Sequence, residues 1–141
     1  MKKTALQSIC ACLLLSMVLL LLSACTGGID TETADAFIEN FFTEIEKDHY
    51  DRAESFFHPD QFTDLEKYLK ALEAEKGIDF SDGITVERRS NFSIAYYDSA
   101  VGGSRYGVTL DARVGDTEVE IDVTIVQSEN GYGVYEFQVR E

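Results

Sequence analysis

Histidine, cysteine and basic side chains are scarce in this chain, and each scarcity removes a class of function. Two histidines, His49 and His58, are all that 141 residues contain. A transition-metal cluster needs several imidazole or thiolate ligands at suitable spacing, and no such set can be assembled here. The cysteines, Cys10, Cys12 and Cys25, stand at or before position 25, so what folds after them has no disulfide of its own. Basic residues number 12 against 26 acidic ones, and two of the 12 are Lys2 and Lys3 at the start. From Thr26 onward 10 basic residues face all 26 acidic ones, a formal charge of about −16 that repels nucleic-acid phosphates and anionic headgroups. No nucleic-acid partner is expected. A phosphate loop is missing too, because Val101-Gly102-Gly103-Ser104 lies between strand candidates rather than opening a helix. A serine nucleophile motif is likewise absent, and no cofactor is expected.

What the chain does have, first, is leucine. After Lys2 and Lys3, the stretch from Ala5 to Leu22 holds no charge, and a positive start followed by an apolar run reads as an export signal. The run of about 18 residues is at the short end of what spans a bilayer. It closes on Leu22-Ser23-Ala24-Cys25, which resembles the lipobox of bacterial lipoproteins at all four positions. That resemblance implies diacylglycerol on the Cys25 thiol and cleavage before it. Residues 1–24 would then be a lipoprotein signal peptide and 25–32 a lipidated cysteine with a short tether. Residues 33–141 would form the domain. Thr26 departs from the aspartate that, in diderm bacteria, marks lipoproteins kept on the inner membrane. The alternatives are an ordinary secretory signal cut nearby or an uncleaved membrane helix. All three place the rest of the chain outside the cytoplasm. The expected location is the cell membrane, reached through lipid at Cys25, since two acyl chains hold a protein stably where one does not. The tether Thr26 to Glu32 reaches some 25 Å when extended at about 3.3 to 3.6 Å per residue.

Removing 24 of 141 residues leaves 117, enough for one domain with a modest core. Without a disulfide that core rests on packing, for which 9 Phe and 7 Tyr provide surface. Ala34, Phe37, Ile38, Phe41, Phe42 and Ile45 form one stripe of a helix predicted over about Thr33 to Lys47. Asp48-His49-Tyr50-Asp51 turns the chain. Arg52 to Phe57 is a short second helix with Ala53, Phe56 and Phe57 as contacts, ended by His58-Pro59 because a proline disfavours helix in the residue before it. Thr63-Asp64-Leu65-Glu66 has the form of a capping box for a third helix over about Asp64 to Lys76, with Leu65, Leu69 and Leu72 on its stripe and Gly77 as its stop.

After Gly83 the apolar period becomes two. Ile84 to Asp98 is one long strand candidate, with Phe92, Ile94 and Tyr96 sharing a face, and Ser99 to Gly103 is a break. Arg105 to Val114 and Thr117 to Gln127 alternate in turn. A slip of one residue moves every side chain to the wrong face, so registers can be tested against pattern. A two-residue turn at Gly115-Asp116 pairs Ala112 with Val119, Leu110 with Ile121 and Val108 with Val123, and on the other face Arg113 with Glu118 and Asp111 with Glu120. At Glu129-Asn130-Gly131 a two-residue loop sets Ile125 against Glu136. A three-residue loop with Gly131 left-handed pairs Ile125 with Tyr135, Val123 with Phe137 and Ile121 with Val139, and is preferred.

The expected fold class is therefore α+β, with N-terminal helices packed on one face of a four-stranded antiparallel meander sheet. The order Phe37 to Tyr50, Asp51-Arg52-Ala53, Phe56-Phe57, the Leu65 to Leu72 helix and the closing Gly131-Tyr132-Gly133-Val134-Tyr135-Glu136-Phe137 resemble the small exported domains of the NTF2-like or cystatin-like superfamily, many of them lipoproteins. The resemblance covers nearly the whole mature chain. It departs in one place, since many members put a strand between the second and third helices and none is read here. It implies a cone-shaped cavity between helices and sheet, and dimerisation through the sheet as that superfamily often shows.

A catalyst in such a cavity would draw on His49, Tyr50, His58, Tyr96 or Tyr106 as acid or base. Both histidines stand at helix ends, where they are expected in solvent, and the tyrosines alternate with apolar residues as core or rim groups. Asp111, Glu118, Glu120 and Asp122 fall together on the outer sheet face, but side chains rising from a flat sheet do not wrap an ion. The expectation is a membrane-anchored, non-enzymatic binding or interaction module outside the cytoplasm, meeting a protein or small ligand through the sheet or the cavity mouth. A small-molecule enzyme using that cavity is the alternative, and a structural subunit of an envelope assembly is a third reading.

Overall fold

A computed structural model describes residues 28–61, 63–89 and 94–141. The leader, Cys25 and Phe92 lie outside them. Among the described residues no helix is long and apolar enough to cross a membrane.

The first helix, α1 (Thr31–Glu46), buries Ala34, Ile38, Phe41, Phe42 and Ile45, five of the six residues of the expected stripe, and packs the sixth, Phe37, partly buried against the core. It starts two residues earlier than predicted, because Asp30 caps it by accepting from the Thr33 amide at 2.8 Å. Ile29 is already packed in the core at 5% exposure, so folded structure begins within the stretch read as tether. Helix α2 (Tyr50–Glu54) is shorter and earlier than the predicted Arg52 to Phe57. Helix α3 (Leu65–Lys76) is capped by Asp64, which accepts from the Lys67 amide, so the cap stands one residue after the expected Thr63. The Leu65 amide donates to Glu54 at 2.9 Å and ties α3 to α2. Gly77, left-handed at φ 70°, ends α3 as predicted. A 3-10 turn, Phe80–Asp82, leads into the sheet.

The sheet is antiparallel and has five strands rather than four: β1 (Ile84–Arg89), β2 (Ile94–Asp98), β3 (Gly103–Val114), β4 (Thr117–Ser128) and β5 (Gly131–Arg140). The extra strand comes from the division of the long first candidate. Strand β1 pairs with the Leu110 to Val114 end of β3 and β2 with its Gly103 to Gly107 end, so the two lie one after the other along the same edge. The pairing of β1 shifts between Val86 and Arg88, a bulge of the kind that bends an edge.

The β3–β4 register is the one read from pattern, from Val114 opposite Thr117 through Leu110 opposite Ile121 to Val108 opposite Val123. The β4–β5 register agrees at Val123 with Phe137 and Ile121 with Val139, but Ile125 faces Val134 instead of Tyr135. The turn is two residues, with Ser128 opposite Gly131, and the extra residue sits at a shift between Thr124 and Ile125. A bulge inside the strand thus replaces the longer loop.

Tyr106, Val108, Leu110, Ala112 and Val114 of β3 join Val119, Ile121, Val123 and Ile125 of β4 in one core with the helices. Between the layers, the rings of Phe37, Phe41, Phe42, Phe56, Phe57, Tyr68, Tyr132 and Phe137 touch at centroid distances of 4.9 to 6.5 Å. Four of these contacts are edge-to-face, a geometry that adds to the area the rings bury. The segment after α2 is not a strand, but Phe57 makes a single parallel bridge to Val134, with the His58 amide donating to the Val134 carbonyl and the Val134 amide to the Phe56 carbonyl. This strap covers part of the β5 edge. It needs Gly133, where a Cβ would stand 2.5 Å from the His58 nitrogen.

Candidate functional site

The residues singled out in sequence separate into three places. His49 and Tyr50 share a cleft at the C-terminal end of α1, His58 belongs to the strap, and Tyr106 reaches the N-terminal half of α1. Tyr96 belongs to none of these. It is 48% exposed on β2, opposite Arg105 on the side away from the helices.

The cleft has a volume of about 470 Å³ and is lined by Asp48, His49, Tyr50, Asp51, Arg52 and Glu66. Its wall turns sharply because Asp48 takes a left-handed conformation at φ 56°, which aspartate accepts more readily than most residues. The Tyr50 hydroxyl donates to Asp48 at 2.7 Å. Burial, followed by that hydrogen bond and the Asp48 charge, pushes the phenol well above its ordinary pKa and keeps it protonated. His49 Nδ1 lies 2.9 Å from Glu44 and Arg52 4.0 Å from the same carboxylate. The His49 ring and the Arg52 guanidinium are thus turned toward Glu44, while Asp48, Asp51 and Glu66 line the cleft.

His58 corrects the sequence expectation of a solvent-exposed ring. It is 1% exposed, because the strap carries it onto the end of β5 against Tyr135, with ring centroids 5.7 Å apart. Its Nε2 is 3.1 Å from the Ser128 hydroxyl, and its Nδ1 is 3.1 Å from the Asp60 amide. Serine, histidine and aspartate therefore meet, which no sequence spacing had suggested. The direction of the bonds decides what they do. An amide can only donate, so Nδ1 is the bare acceptor and Nε2 carries the proton toward Ser128. A serine-activating base needs the reverse tautomer, with a carboxylate on Nδ1–H and a bare Nε2 facing the hydroxyl. Ser128 also accepts from the Asn130 amide at 3.2 Å, and both Asp60 oxygens accept from Asn130 Nδ2. The four residues His58, Asp60, Ser128 and Asn130 act as a latch between the strap and the β4–β5 turn.

Tyr106 is 1% exposed and donates to Asp35 at 2.9 Å. Asp35 also pairs with Arg89, which reaches Glu39 at 3.1 Å. This network closes the seam between α1 and β1, a contact the alternation pattern could not reveal.

The acidic patch expected on the outer face is partly compensated within the sheet, by three arginines against five carboxylates. Arg88 pairs with Asp111, Arg113 with Glu87 and Glu118, and Arg140 with Glu120 and Asp122. Among the described residues no group of three or more His, Cys, Asp or Glu is arranged to hold a metal ion. Comparison of the chain with known protein families, with curated proteins and with solved structures found no match.

Proposed function

We propose that the protein is a lipid-anchored binding module outside the cytoplasm, tethered through Cys25, with an NTF2-like arrangement of helices on sheet. Its distal cleft takes a positively charged small ligand or a basic segment of a partner protein. The observation that carries this reading is the cleft of Asp48, Tyr50, Asp51 and Glu66, where carboxylates line the walls and the phenol stays a neutral hydrogen-bond donor. An amine finds acceptors there, whereas Arg52 and His49 are drawn to Glu44. A thermal melt of the full chain in detergent with spermidine or a lysine-rich peptide tests it, because a ligand that binds only the folded state raises the midpoint. The midpoint should rise, and Asp48→Asn with Asp51→Asn should abolish the rise. Identical melts with and without both probes would sink the cleft reading. Anchoring has a separate test: Cys25→Ser should leave an uncleaved or aqueous-phase product, and unchanged partitioning into detergent would refute it.

The enzyme reading draws its support from Ser128, His58 and Asp60, whose bond directions suit a latch instead. Covalent labelling of Ser128 by a fluorophosphonate would restore it.

A further inference from the structure

We propose that the end of the sheet bearing Tyr97 and the turn 99–102 rests on the phospholipid surface, so that the domain stands on the bilayer with the 48–52 cleft turned away. This rests on the reading of Cys25 as a lipidated residue.

The length of chain before the fold sets the first constraint. Ile29 is 5% exposed in the core, and Asp30 caps α1. Three residues, Thr26, Gly27 and Gly28, separate Ile29 from Cys25. At about 3.3 to 3.6 Å per residue, the four steps from Cys25 to Ile29 span at most about 14 Å. Acyl chains on Cys25 therefore hold the N-terminal end of α1 close to the headgroups.

The direction of α1 then says which end of the sheet is near. Glu46, at the helix C-terminus, accepts from the Ile84 amide, and Ile84 lies opposite Val114 at one end of β3. Asp35, near the N-terminus, accepts from Tyr106 toward the other end of β3. On the far strand Phe37 packs on Tyr132 at 5.0 Å, and burial, followed by the Asp30 charge, raises the Tyr132 pKa. Tyr132 faces Gln127, Gln127 faces Ser104, and Ser104 faces Tyr97. One row across the sheet thus joins Tyr97 to the tethered end of α1.

The β2–β3 corner of this end fits a lipid boundary, while Glu129 and Asp60 stand across the row at the β4–β5 turn. Tyr97 is 71% exposed and Tyr96 48%, two of the three large hydrophobic residues left open among the described ones. The turn that follows, Ser99-Ala100-Val101-Gly102, holds no charge in a domain of about −16. Asp98 beside it is paired with Arg105 at 3.1 Å. A tyrosine at a membrane boundary places its ring among the upper acyl carbons and its hydroxyl among headgroups, as aromatic belts do. The remaining acidic surface favours a zwitterionic lipid.

The chain contains no tryptophan, so Tyr97→Trp in the full-length lipoprotein gives a single reporter at an exposed position. Reconstituted in phosphatidylcholine vesicles with brominated acyl chains, its emission should shift to the blue and lose most of its intensity. Glu118→Trp, near the opposite hairpin on an 81% exposed side chain, should stay unquenched and open to acrylamide. The mass of the Cys25 peptide is read from the same preparation. Lipid on Cys25 with Tyr97→Trp unquenched overturns the orientation and leaves anchoring intact. No lipid on Cys25 overturns both. Protection of Tyr97→Trp from acrylamide in cell envelopes, with no quenching by brominated lipid, overturns the bilayer contact in favour of a protein.

Discussion

Strands β3, β4 and β5 carry two surfaces built by different chemistry. Toward the helices stand Leu110, Ile121 and Ile125, all at or below 1% exposure. On the other side Arg113, Glu118, Glu120, Asp122 and Arg140 pair across the strands in water. Both surfaces obey the same register, yet their energies differ. A buried aliphatic side chain contributes its transfer free energy and fills space, whereas an exposed ion pair recovers little more than the cost of holding two long side chains. The inner face thus determines the fold and the outer face tolerates change.

The sharpest way to test that contrast is to cut one residue from each face of the same strand. Ile121→Ala should lose about 3 kcal/mol of unfolding free energy in urea, through lost burial and the cavity left behind. Glu118→Ala, three residues away and on the opposite face, should change it by less than about 0.5 kcal/mol. Comparable losses would mean that the outer ladder is a true contributor to stability.

The strap offers a second test, because it makes the β5 edge behave like the inner face. Gly133→Ala would drive a methyl group to within 2.7 Å of the Phe56 oxygen and 2.5 Å of the His58 nitrogen, and should cost about 2 kcal/mol by overpacking. Ser128→Ala removes the Nε2 partner of the buried His58 and should cost about 1 kcal/mol. If Ser128→Ala were neutral while Gly133→Ala destabilised, the strap would be held by its backbone bonds and the latch would be incidental. Tyr106→Phe leaves Asp35 its Arg89 partner, so its loss should also be near 1 kcal/mol, or smaller.

The inner face was the legible one. Strict alternation through Val108, Leu110 and Ala112 leaves a single register that buries every apolar group, and the β3–β4 pairing followed from it. Tyr135 could not be placed in the same way, because a tyrosine suits either face. Alternation therefore puts the extra residue in the turn, whereas the structure has it in a bulge. The burial of His58 is illegible for a related reason. Its position at a helix end is local, whereas its burial comes from a crossing of β5 that depends on Gly133 having no side chain. Of the candidate site, His49 and Tyr50 were legible as residues, but their grouping with Glu66 required the packing of α3 against α2. The cap of α3 went to Asp64 over Thr63 because both residue types cap helices and the sequence alone does not rank adjacent ones.

Asp30 gives the finest test of the contrast, since it serves the inner layer while standing in water. It orients α1, whose stripe is fully packed, yet its carboxylate is exposed and bonds the Thr33 amide and hydroxyl. Those two hydrogen bonds, the side-chain one first, lower its pKa below the ordinary aspartate value. A carboxyl group with a depressed folded pKa contributes stability above its unfolded pKa and loses that contribution as pH falls through the folded value. The gap in melting midpoint between the native chain and Asp30→Ala should therefore be constant from neutral pH down to about 5, and close progressively below about 4. It should be smaller than the loss from Ile121→Ala, because solvent competes for every bond the cap makes. A gap that survives acidification unchanged would show that Asp30 acts through the shape of the turn at Ile29 and not through its charge, which would move this residue from the outer chemistry to the inner one.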